Sequence, residues 1–426
     1  MKRFVVTSLG CKVNQAEAAS LAADLAARGW QPAAAGQAAD LAVLLTCAVT
    51  GPAARQSRQM ARRLAREHPG AQVVVTGCDL QAEPRAYVGQ GQAVLGRALL
   101  PRLAELLEAG ALPVEPAPPA PDAGALLPGQ WQAGGRRSRA LLKVQDGCNA
   151  SCAYCIVPLA RGRSRSLPLD QAVAAWQELG QTGAPEVVLT GIHLGRWGQD
   201  LDPPAYLTHL LRALLAAHPD PRLRLSSLEC QELTDQIIAL AAIEPRLCRH
   251  FHLPLQSGSE RVLKAMGRPY GPADYAARVR AAHQALPGLC LGADVLAGLP
   301  GEDAAAFADT YELIQSLPLS YLHVFPYSPR PGTRAAAMPN RPPARVAKQR
   351  AARLRELGQA KRRAFLQEQL GRVLEVVVER SGLGRSGNYC LVALDGPLPP
   401  GERALVEIEG LQDIGKGPVL RGRVLA

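Results

Sequence analysis

Three cysteines in CxxxCxxC spacing directly follow an apolar run typical of a β-strand, and no other stretch limits the chain's fold and chemistry so strongly. We call Cys148, Cys152 and Cys155 the central triad. Three thiolates this close suit a cubane iron–sulfur cluster and leave one of its four irons without a protein ligand. A structural zinc site takes four protein ligands, and residues 143–166 contain no fourth Cys or His. The spacing therefore favours a cluster with an open iron over zinc or a chance grouping.

Residues 1–110 alternate buried-strand runs with helical stretches, which predicts an open parallel sheet with helices on its faces. Each of three strand-like runs leads directly into a cysteine, and we call Cys11, Cys47 and Cys78 the N-terminal triad. Because ligands lie beyond the carboxyl ends of parallel strands, this topology would bring the three thiols to one edge. The alternative is three unrelated buried cysteines, which are common in cores.

Residues 136–368 repeat the strand–helix alternation six times, which predicts a partial (β/α)6 barrel. A Pro-, Ala- and Gly-rich stretch, residues 111–135, precedes them and is predicted to be a linker. The predicted strands are residues 140–147, 185–193, 222–229, 250–258, 289–298 and 321–329. Functional residues of such barrels lie at the carboxyl ends of the strands. The polar or glycine-marked strand ends are Thr190, Gly191, Glu229, Gln256 and Asp294.

Residues 369–426 contain short strands separated by glycine-marked turns, which predicts a small C-terminal β-barrel and completes an α/β chain of three domains. Tyr389 is the only aromatic residue there, so RNA bound by this part would be held by backbone electrostatics rather than by stacking. Residues 341–363 carry nine basic residues and one acidic residue on a helical pattern. Such a run is either a solvated face or a helix that contacts phosphates.

The bulk composition is that of a soluble globular protein, with 47% hydrophobic and 20% charged residues. The ten cysteines are too few for a disulfide scaffold, and no apolar run is long enough for a signal peptide or a membrane span. We therefore expect a cytoplasmic protein without a membrane partner, in which thiolates bind metal rather than pair. The net charge of +11 is compatible with a nucleic-acid partner and equally with a merely basic surface.

Longer motifs resemble the radical S-adenosylmethionine methylthiotransferase family over nearly the whole chain. The last domain resembles the TRAM module that accompanies that family. The motifs are SLGCKVNQAE, LLTCAVTGPAARQSR, VVTGCDLQ, KVQDGCNASCAYCIVPLARGRSRS, VVLTGIHLG, LRLSSLE, HLPLQSGSERVLKAMGR, GADVLAGLPGE and HVFPYSPRPGT.

The resemblance implies two 4Fe–4S clusters, one on each triad, and S-adenosylmethionine bound at the open iron of the central one. Reductive cleavage of this cofactor would give a 5′-deoxyadenosyl radical, which an unactivated adenine C–H bond requires. The N-terminal cluster would hold the sulfur that a first S-adenosylmethionine methylates. The product would be a 2-methylthioadenosine derivative in tRNA. An electron donor such as flavodoxin or ferredoxin and a sulfur donor are the further partners implied.

Five strand-end residues are candidates for contacts with S-adenosylmethionine. We expect Thr190 and Gly191 near the amino-acid part of the cofactor, whereas Glu229, Gln256 and Asp294 are expected to reach its ribose or the substrate. The alternative for each is capping or turn chemistry at the strand end.

The residues after Cys11 distinguish subgroups of the family. Here they are Lys12, Val13, Asn14 and Gln15, which resembles enzymes that act on threonylcarbamoyladenosine in tRNA. Enzymes of isopentenyladenosine typically have Gln-Met-Asn, and those that modify a ribosomal protein have Pro-Lys-Asn. These substrates are the alternatives within the family, and an RNA-binding protein with structural zinc is the non-catalytic alternative.

Three further sets of side chains are interpreted as having no part in the chemistry. Histidines on strand patterns are expected to be structural rather than metal ligands, and arginines after the central triad are expected to be solvated or to face phosphates. Four other cysteines show no metal-binding spacing. The sets are His193, His252 and His323; Arg161, Arg163 and Arg165; and Cys230, Cys248, Cys290 and Cys390.

Overall fold

The computed structural model describes residues 2–87, 93–112, 138–380, 382–415 and 417–425. The predicted linker, residues 111–135, therefore lies outside the described residues except for its first two positions. Among the described residues, no helix combines the length and the apolar character that a membrane crossing needs.

The N-terminal part is a five-stranded parallel sheet with strand order β2-β1-β3-β4-β5, which confirms the predicted open sheet. Alternate residues of the central strand β3 pack against opposite faces, Val43 with Leu25 of helix α1 and Leu44 with Leu64 of helix α2. The elements are β1 Arg3–Ser8, α1 Lys12–Ala27, β2 Gln31–Pro32, β3 Leu41–Thr46, α2 Gly51–Glu67, β4 Gln72–Gly77, α3 Cys78–Ala82, β5 Ala93–Val94 and α4 Leu103–Glu108.

Among the described residues, the central part contains a short antiparallel pair, β7 and β8, and six parallel strands, β6 and β9 to β13, that follow one another in chain order. They form two three-stranded sheets, which adjoin through bridges between Leu223 and Leu247 and between Ser227 and His252. The elements are β6 Ala140–Lys143, β7 Gln145–Asp146, α5 Val157–Arg161, β8 Arg165–Ser166, α6 Leu169–Gln181, β9 Glu186–Thr190, α7 Leu207–Ala217, β10 Arg222–Leu225, α8 Asp235–Ile243, β11 His250–His252, α9 Glu260–Ala265, α10 Pro272–Ala285, β12 Cys290–Ala297, α11 Ala304–Ser316, β13 Tyr321–Pro326 and α12 Ala344–Gln367.

The two faces of these strands differ in chemistry. Outward residues such as Leu189, Leu225 and Phe251 join the largest apolar core, which lies between the strands and the surrounding helices. Their neighbours on the inner face are mostly polar or charged, including Arg224 and His252. We call the space lined by this inner face the lumen.

The C-terminal part consists of five strands that close into a barrel in the order β14-β15-β16-β18-β17. The sequence pattern did not predict β15, because the glycine within this strand and those beside it are typical of a turn. The barrel covers the amino-terminal ends of the central strands: Arg224 Nη2 donates to the Ser386 carbonyl at 2.9 Å, and Tyr389 stacks on His250 with ring centroids 4.1 Å apart. The strands are β14 Val373–Arg380, β15 Leu383–Ser386, β16 Leu391–Leu394, β17 Arg403–Asp413 and β18 Pro418–Val424.

Candidate functional site

The N-terminal triad lies at the carboxyl edge of the first sheet. Cys11 precedes α1, Cys47 follows β3, and Cys78 is the first residue of α3. Gly10 has φ +85°, and a Cβ built there would lie 2.4 Å from Cys47 Sγ, so only glycine lets the two loops approach this closely. Burial, followed by the charges of Cys78 and Cys11, raises the pKa of Cys47 to about 11. The registers of β3 with β1 and with β4 place the three segments that carry these cysteines side by side.

The central triad lies in the loop between β7 and α5. Its first cysteine is anchored by a hydrogen bond from Cys148 N to the Gly162 carbonyl at 3.0 Å. Gly147 has φ +70°, and a Cβ there would lie 1.8 Å from the Arg163 carbonyl oxygen. Burial, followed by the charges of Cys152 and Cys148, raises the pKa of Cys155 to about 12.

Each triad offers the three thiols that a 4Fe–4S cluster with one open iron would require as ligands. Cysteines bind metal in the deprotonated form, so these side chains would hold a cluster as thiolates. The other four cysteines are buried elsewhere: Cys290 and Cys390 lie where the barrel meets the central strands, Cys248 lies beside Glu186, and Cys230 follows Glu229.

A buried arginine that sequence reasoning missed contacts the central triad. Arg268 Nη1 donates to Cys152 Sγ at 3.3 Å and to Tyr154 Oη at 3.2 Å, while its Nη2 pairs with the Glu229 carboxylate. Burial raises the pKa of Glu229, and Arg268 opposes that rise. The sequence did contain a signal for Arg268, because this residue is the last one of a motif that resembles the family.

His193, expected to be structural, also contacts the central triad. Its Nδ1 lies 3.2 Å from Cys148 Sγ, and its Nε2 lies 2.8 Å from Glu232 Oε1. Burial lowers the pKa of His193, but hydrogen bonds to Cys148 and Glu232 outweigh burial and raise it to about 10. The neighbouring strand end is packed tightly. Thr190 is buried with its carbonyl bonded to Val144 N, and Gly191 lies against Gln145.

Two other predicted residues lie together on the far side of the lumen. Gln256 has φ +67°, and its backbone N donates to the Asp294 carbonyl at 2.9 Å. The Asp294 carboxylate lies 2.9 Å from His252 Nε2 and 3.2 Å from His323 Nδ1. Burial opposes ionisation, but these two imidazoles lower the pKa of Asp294 below its usual range. The same three side chains have the composition of a metal site.

One expectation for the arginines was wrong. Arg161 is 4% exposed and donates from Nε to Cys78 Sγ at 3.3 Å. It is buried because carboxylates from two parts of the chain surround it. Arg163 is exposed, and Arg165 is partly exposed and lies 3.9 Å from Asp146.

Two family profiles match the chain. One, described as the uncharacterized protein family UPF0004, matches residues 3–96, and the other, the radical SAM superfamily, matches residues 142–314. The chain is 32% identical to the threonylcarbamoyladenosine tRNA methylthiotransferase MtaB of Rickettsia prowazekii, over 96% of both chains. The chain belongs to the radical S-adenosylmethionine methylthiotransferase family. The MtaB of Aquifex aeolicus is 34% identical to this methylthiotransferase, over 91% of this chain and 96% of its own.

Members with another named substrate are equally similar. The tRNA-2-methylthio-N(6)-dimethylallyladenosine synthase of Novosphingobium aromaticivorans is 34% identical, over 96% of this chain and 95% of its own. A solved radical S-adenosylmethionine methyltransferase, TsrM of Kitasatospora setae, superposes with a TM-score of 0.59 over 79% of this chain and 74% of its own, at 17% identity. That likeness confirms the radical SAM fold.

The methylthiotransferase is thus a radical SAM enzyme, with an iron–sulfur cluster and S-adenosylmethionine as its cofactors. When bound, this pair supplies the radical that an unactivated C–H bond requires.

Proposed function

We propose that the enzyme converts threonylcarbamoyladenosine in tRNA to its 2-methylthio derivative, with a 4Fe–4S cluster on each cysteine triad and two molecules of S-adenosylmethionine. Full-length similarity to relatives named for that reaction carries the proposal. The fit of both triads to three-cysteine sites supports it. An electron donor such as flavodoxin or ferredoxin and a sulfur donor complete the reaction.

Exposed apolar residues near the triads suit the binding of a flipped-out base. Val49, Leu159 and Phe325 are large apolar residues that are 56%, 53% and 42% exposed. Val49 lies two residues after Cys47, and the first residue of α2 is tied to the loop after β13 by a hydrogen bond from Gly51 N to Ser328 Oγ at 2.9 Å. An unstacked purine gains contact area against such surfaces. These residues therefore hold and orient the base in the proposed reaction.

The basic helix α12 supports a role in binding tRNA. Fewer of its basic residues are available to contact phosphates than its charge alone predicts. Arg350 pairs with Glu302 at 2.7 Å, and Arg362 donates to the Tyr389 carbonyl. At the start of the helix, Arg345 and Lys348 are exposed and make no ion pair within the described parts of the chain. These two residues are the proposed phosphate contacts.

We further infer that the proposed domains are residues 1–110, 136–368 and 369–426, and that the last is a TRAM-like module. Its single aromatic residue, Tyr389, is occupied by stacking on His250, so backbone electrostatics would dominate any RNA contact it makes. Among the candidate cofactor contacts, Gln256 is partly exposed, and its side chain has no hydrogen-bond partner in the described parts of the chain.

Mass spectrometry of tRNA nucleosides from a deletion strain, with and without this gene, tests the substrate. We expect the 2-methylthio form of threonylcarbamoyladenosine to disappear on deletion and to return on complementation. Loss of the 2-methylthio dimethylallyl nucleoside instead would favour the second candidate function, which the similarity to dimethylallyladenosine synthases supports. Unchanged tRNA nucleosides would contradict both.

A further inference from the structure

One guanidinium reaches all three cysteine-bearing segments of the N-terminal triad from the segment that carries the central triad. Arg161 ends helix α5, six residues after Cys155. Its Nε donates to Cys78 Sγ at 3.3 Å, and its Nη2 donates to Asn14 Oδ1 at 2.5 Å. Arg161 therefore contacts one thiol directly and reaches the backbone segments that lead into the other two cysteines through Asn14.

Asn14 is the link to the remaining cysteines. Its side-chain nitrogen donates to the Leu9 carbonyl at 2.8 Å and to the Thr46 carbonyl at 2.9 Å. These carbonyls belong to the segments that lead into Cys11 and Cys47. Asn14 is fully buried, so its position is fixed by these partners.

Two carboxylates complete the surroundings of Arg161. Its Nη1 donates to Asp146 Oδ1 at 2.8 Å and to Glu17 Oε1 at 3.3 Å. Lys143 lies 2.6 Å from Glu17 and 2.7 Å from Asp146, and Arg97 contacts the same two carboxylates at 2.7 and 3.1 Å. The cluster thus combines three cations with two buried carboxylates, and a fourth cation, the partly exposed Arg165, lies 3.9 Å from Asp146.

The two triads differ in this respect. Beside Cys152, Arg268 is paired with Glu229, and beside Cys148, His193 shares the Glu232 carboxylate with Arg196. Beside Cys78, the cations of the ion cluster outnumber its two carboxylates, and one of them, Arg161, donates directly to the thiol. The reduction potential of an iron–sulfur cluster rises with hydrogen bonds to its sulfurs and with nearby positive charge, since both stabilise the more negative, reduced form.

We propose that Arg161 is a positioning residue that fixes the N-terminal triad relative to the central one and raises the reduction potential of the cluster that the N-terminal triad holds. The inference rests on the proposed function for the presence of that cluster. It predicts that the potential of the N-terminal cluster depends on this one guanidinium, whereas the potential of the central cluster does not.

The test is a potentiometric titration, followed by electron paramagnetic resonance, of the anaerobically reconstituted full chain. The Cys152→Ala background isolates the N-terminal cluster. In that background we expect Arg161→Gln to shift the midpoint potential of this cluster to a more negative value and Arg161→Lys, which keeps the charge, to shift it less. Arg163→Gln is the matched control, because its side chain is exposed two residues away, and it should leave the potential unchanged.

Iron content separates the possible failures. About eight irons per wild-type chain, four per cluster, are expected. Only about four irons in the wild type would contradict the two-cluster proposal itself. A full iron content with an unshifted potential in Arg161→Gln would overturn the present inference alone, as would equal shifts of both clusters in the otherwise wild-type chain. If Arg161→Gln fails to hold iron, the result for Arg161→Lys decides: its potential must fall below that of the wild type.

Discussion

Each cysteine triad has one buried arginine that donates a hydrogen bond to one of its thiols, Arg161 at Cys78 and Arg268 at Cys152. Charge-assisted hydrogen bonds of this kind are among the stronger polar contacts in proteins, and a planar guanidinium can serve several acceptors at once. The cysteine sets of the two triads are therefore alike, and the triads differ mainly in the other side chains that Arg161 and Arg268 contact.

Removing one cysteine from each triad should separate the two roles. We expect Cys152→Ala to abolish cleavage of S-adenosylmethionine while the N-terminal cluster remains, because only the central triad would bind the cofactor. Cys47→Ala should still cleave the cofactor but form no methylthio product. Chromatography of 5′-deoxyadenosine together with nucleoside mass spectrometry measures both. Continued cleavage by Cys152→Ala, or normal product from Cys47→Ala, would refute the assignment of roles.

Gly147→Ala should prevent the central loop from forming. A left-handed backbone costs a non-glycine residue about 1–2 kcal/mol, and here the added Cβ would also meet the Arg163 carbonyl at 1.8 Å. Gly183→Ala is the matched control, since Gly183 has φ +80° but no atom within 4 Å of a built Cβ. We expect Gly183→Ala to lower the free energy of unfolding by about 1–2 kcal/mol in chemical denaturation. Gly147→Ala should lower it by more, and only Gly147→Ala should lose cluster absorbance. Equal behaviour of the two variants would contradict this.

Helix α12 serves two purposes along its length. Its buried residues, among them Leu354, pack against the central strands, and Lys361 donates to the Leu317 carbonyl at 2.7 Å. Its first turns follow the loop after β13 and present cations to solvent. The basic residues of α12 look alike in sequence, but some of them bond to the central part while others are exposed. The packing of the helix decides which residues do which.

The double variant Arg345→Gln/Lys348→Gln should bind tRNA more weakly. Each lost phosphate contact lowers the slope of log affinity against log salt by about 1, so filter binding at several salt concentrations should show a shallower slope. Arg280→Gln, an exposed arginine on α10, controls for net charge and should have a smaller effect. An unchanged slope in the double variant would remove α12 from the interface.

At the scale of the whole molecule, buried ion clusters hold the three parts of the chain together. Glu186 is fully buried and contacts Arg224 at 2.6 Å, Arg222 at 2.7 Å and Arg139 at 3.3 Å. Arg139 continues to Glu379 of the barrel at 2.7 Å. Burial opposes ionisation of Glu186, but the arginines outweigh it and lower its pKa well below the usual range.

Because the folded-state pKa of Glu186 is below its unfolded value of 4.5, its ionisation contributes stability above about pH 4.5 that is lost as the pH falls toward the folded-state pKa. Glu186→Gln should therefore destabilise the protein at pH 7, by about 3–5 kcal/mol for a broken buried pair. It should also reduce the further loss of stability on acidification. Urea denaturation at pH 7 and pH 4 measures both, and a variant as acid-sensitive as the wild type would contradict the role given to Glu186.

The strand ends that carry the triads were predictable, because apolar runs that lead into cysteines fix both the sheet and the edge where the cysteines meet. The ion clusters were not, since their members are far apart in sequence: Arg161 meets Glu17, 144 residues earlier. A basic residue beside other basic residues is usually solvated, and only the approach of carboxylates from two parts of the chain reverses that expectation for Arg161. Tyr389 was recognised as the barrel's single aromatic, but its partner His250 could not be inferred from spacing.

The stacking of Tyr389 on His250 makes the C-terminal barrel the floor of the lumen. Exchanging this barrel with that of a relative would therefore also exchange the residues that close one end of the lumen. A chimera made to redirect tRNA choice would have to keep the turn from Ser386 to Tyr389 together with Arg224. In this chain, an exchange point between the barrel and the central strands would therefore have to leave both partners of these contacts on the same side.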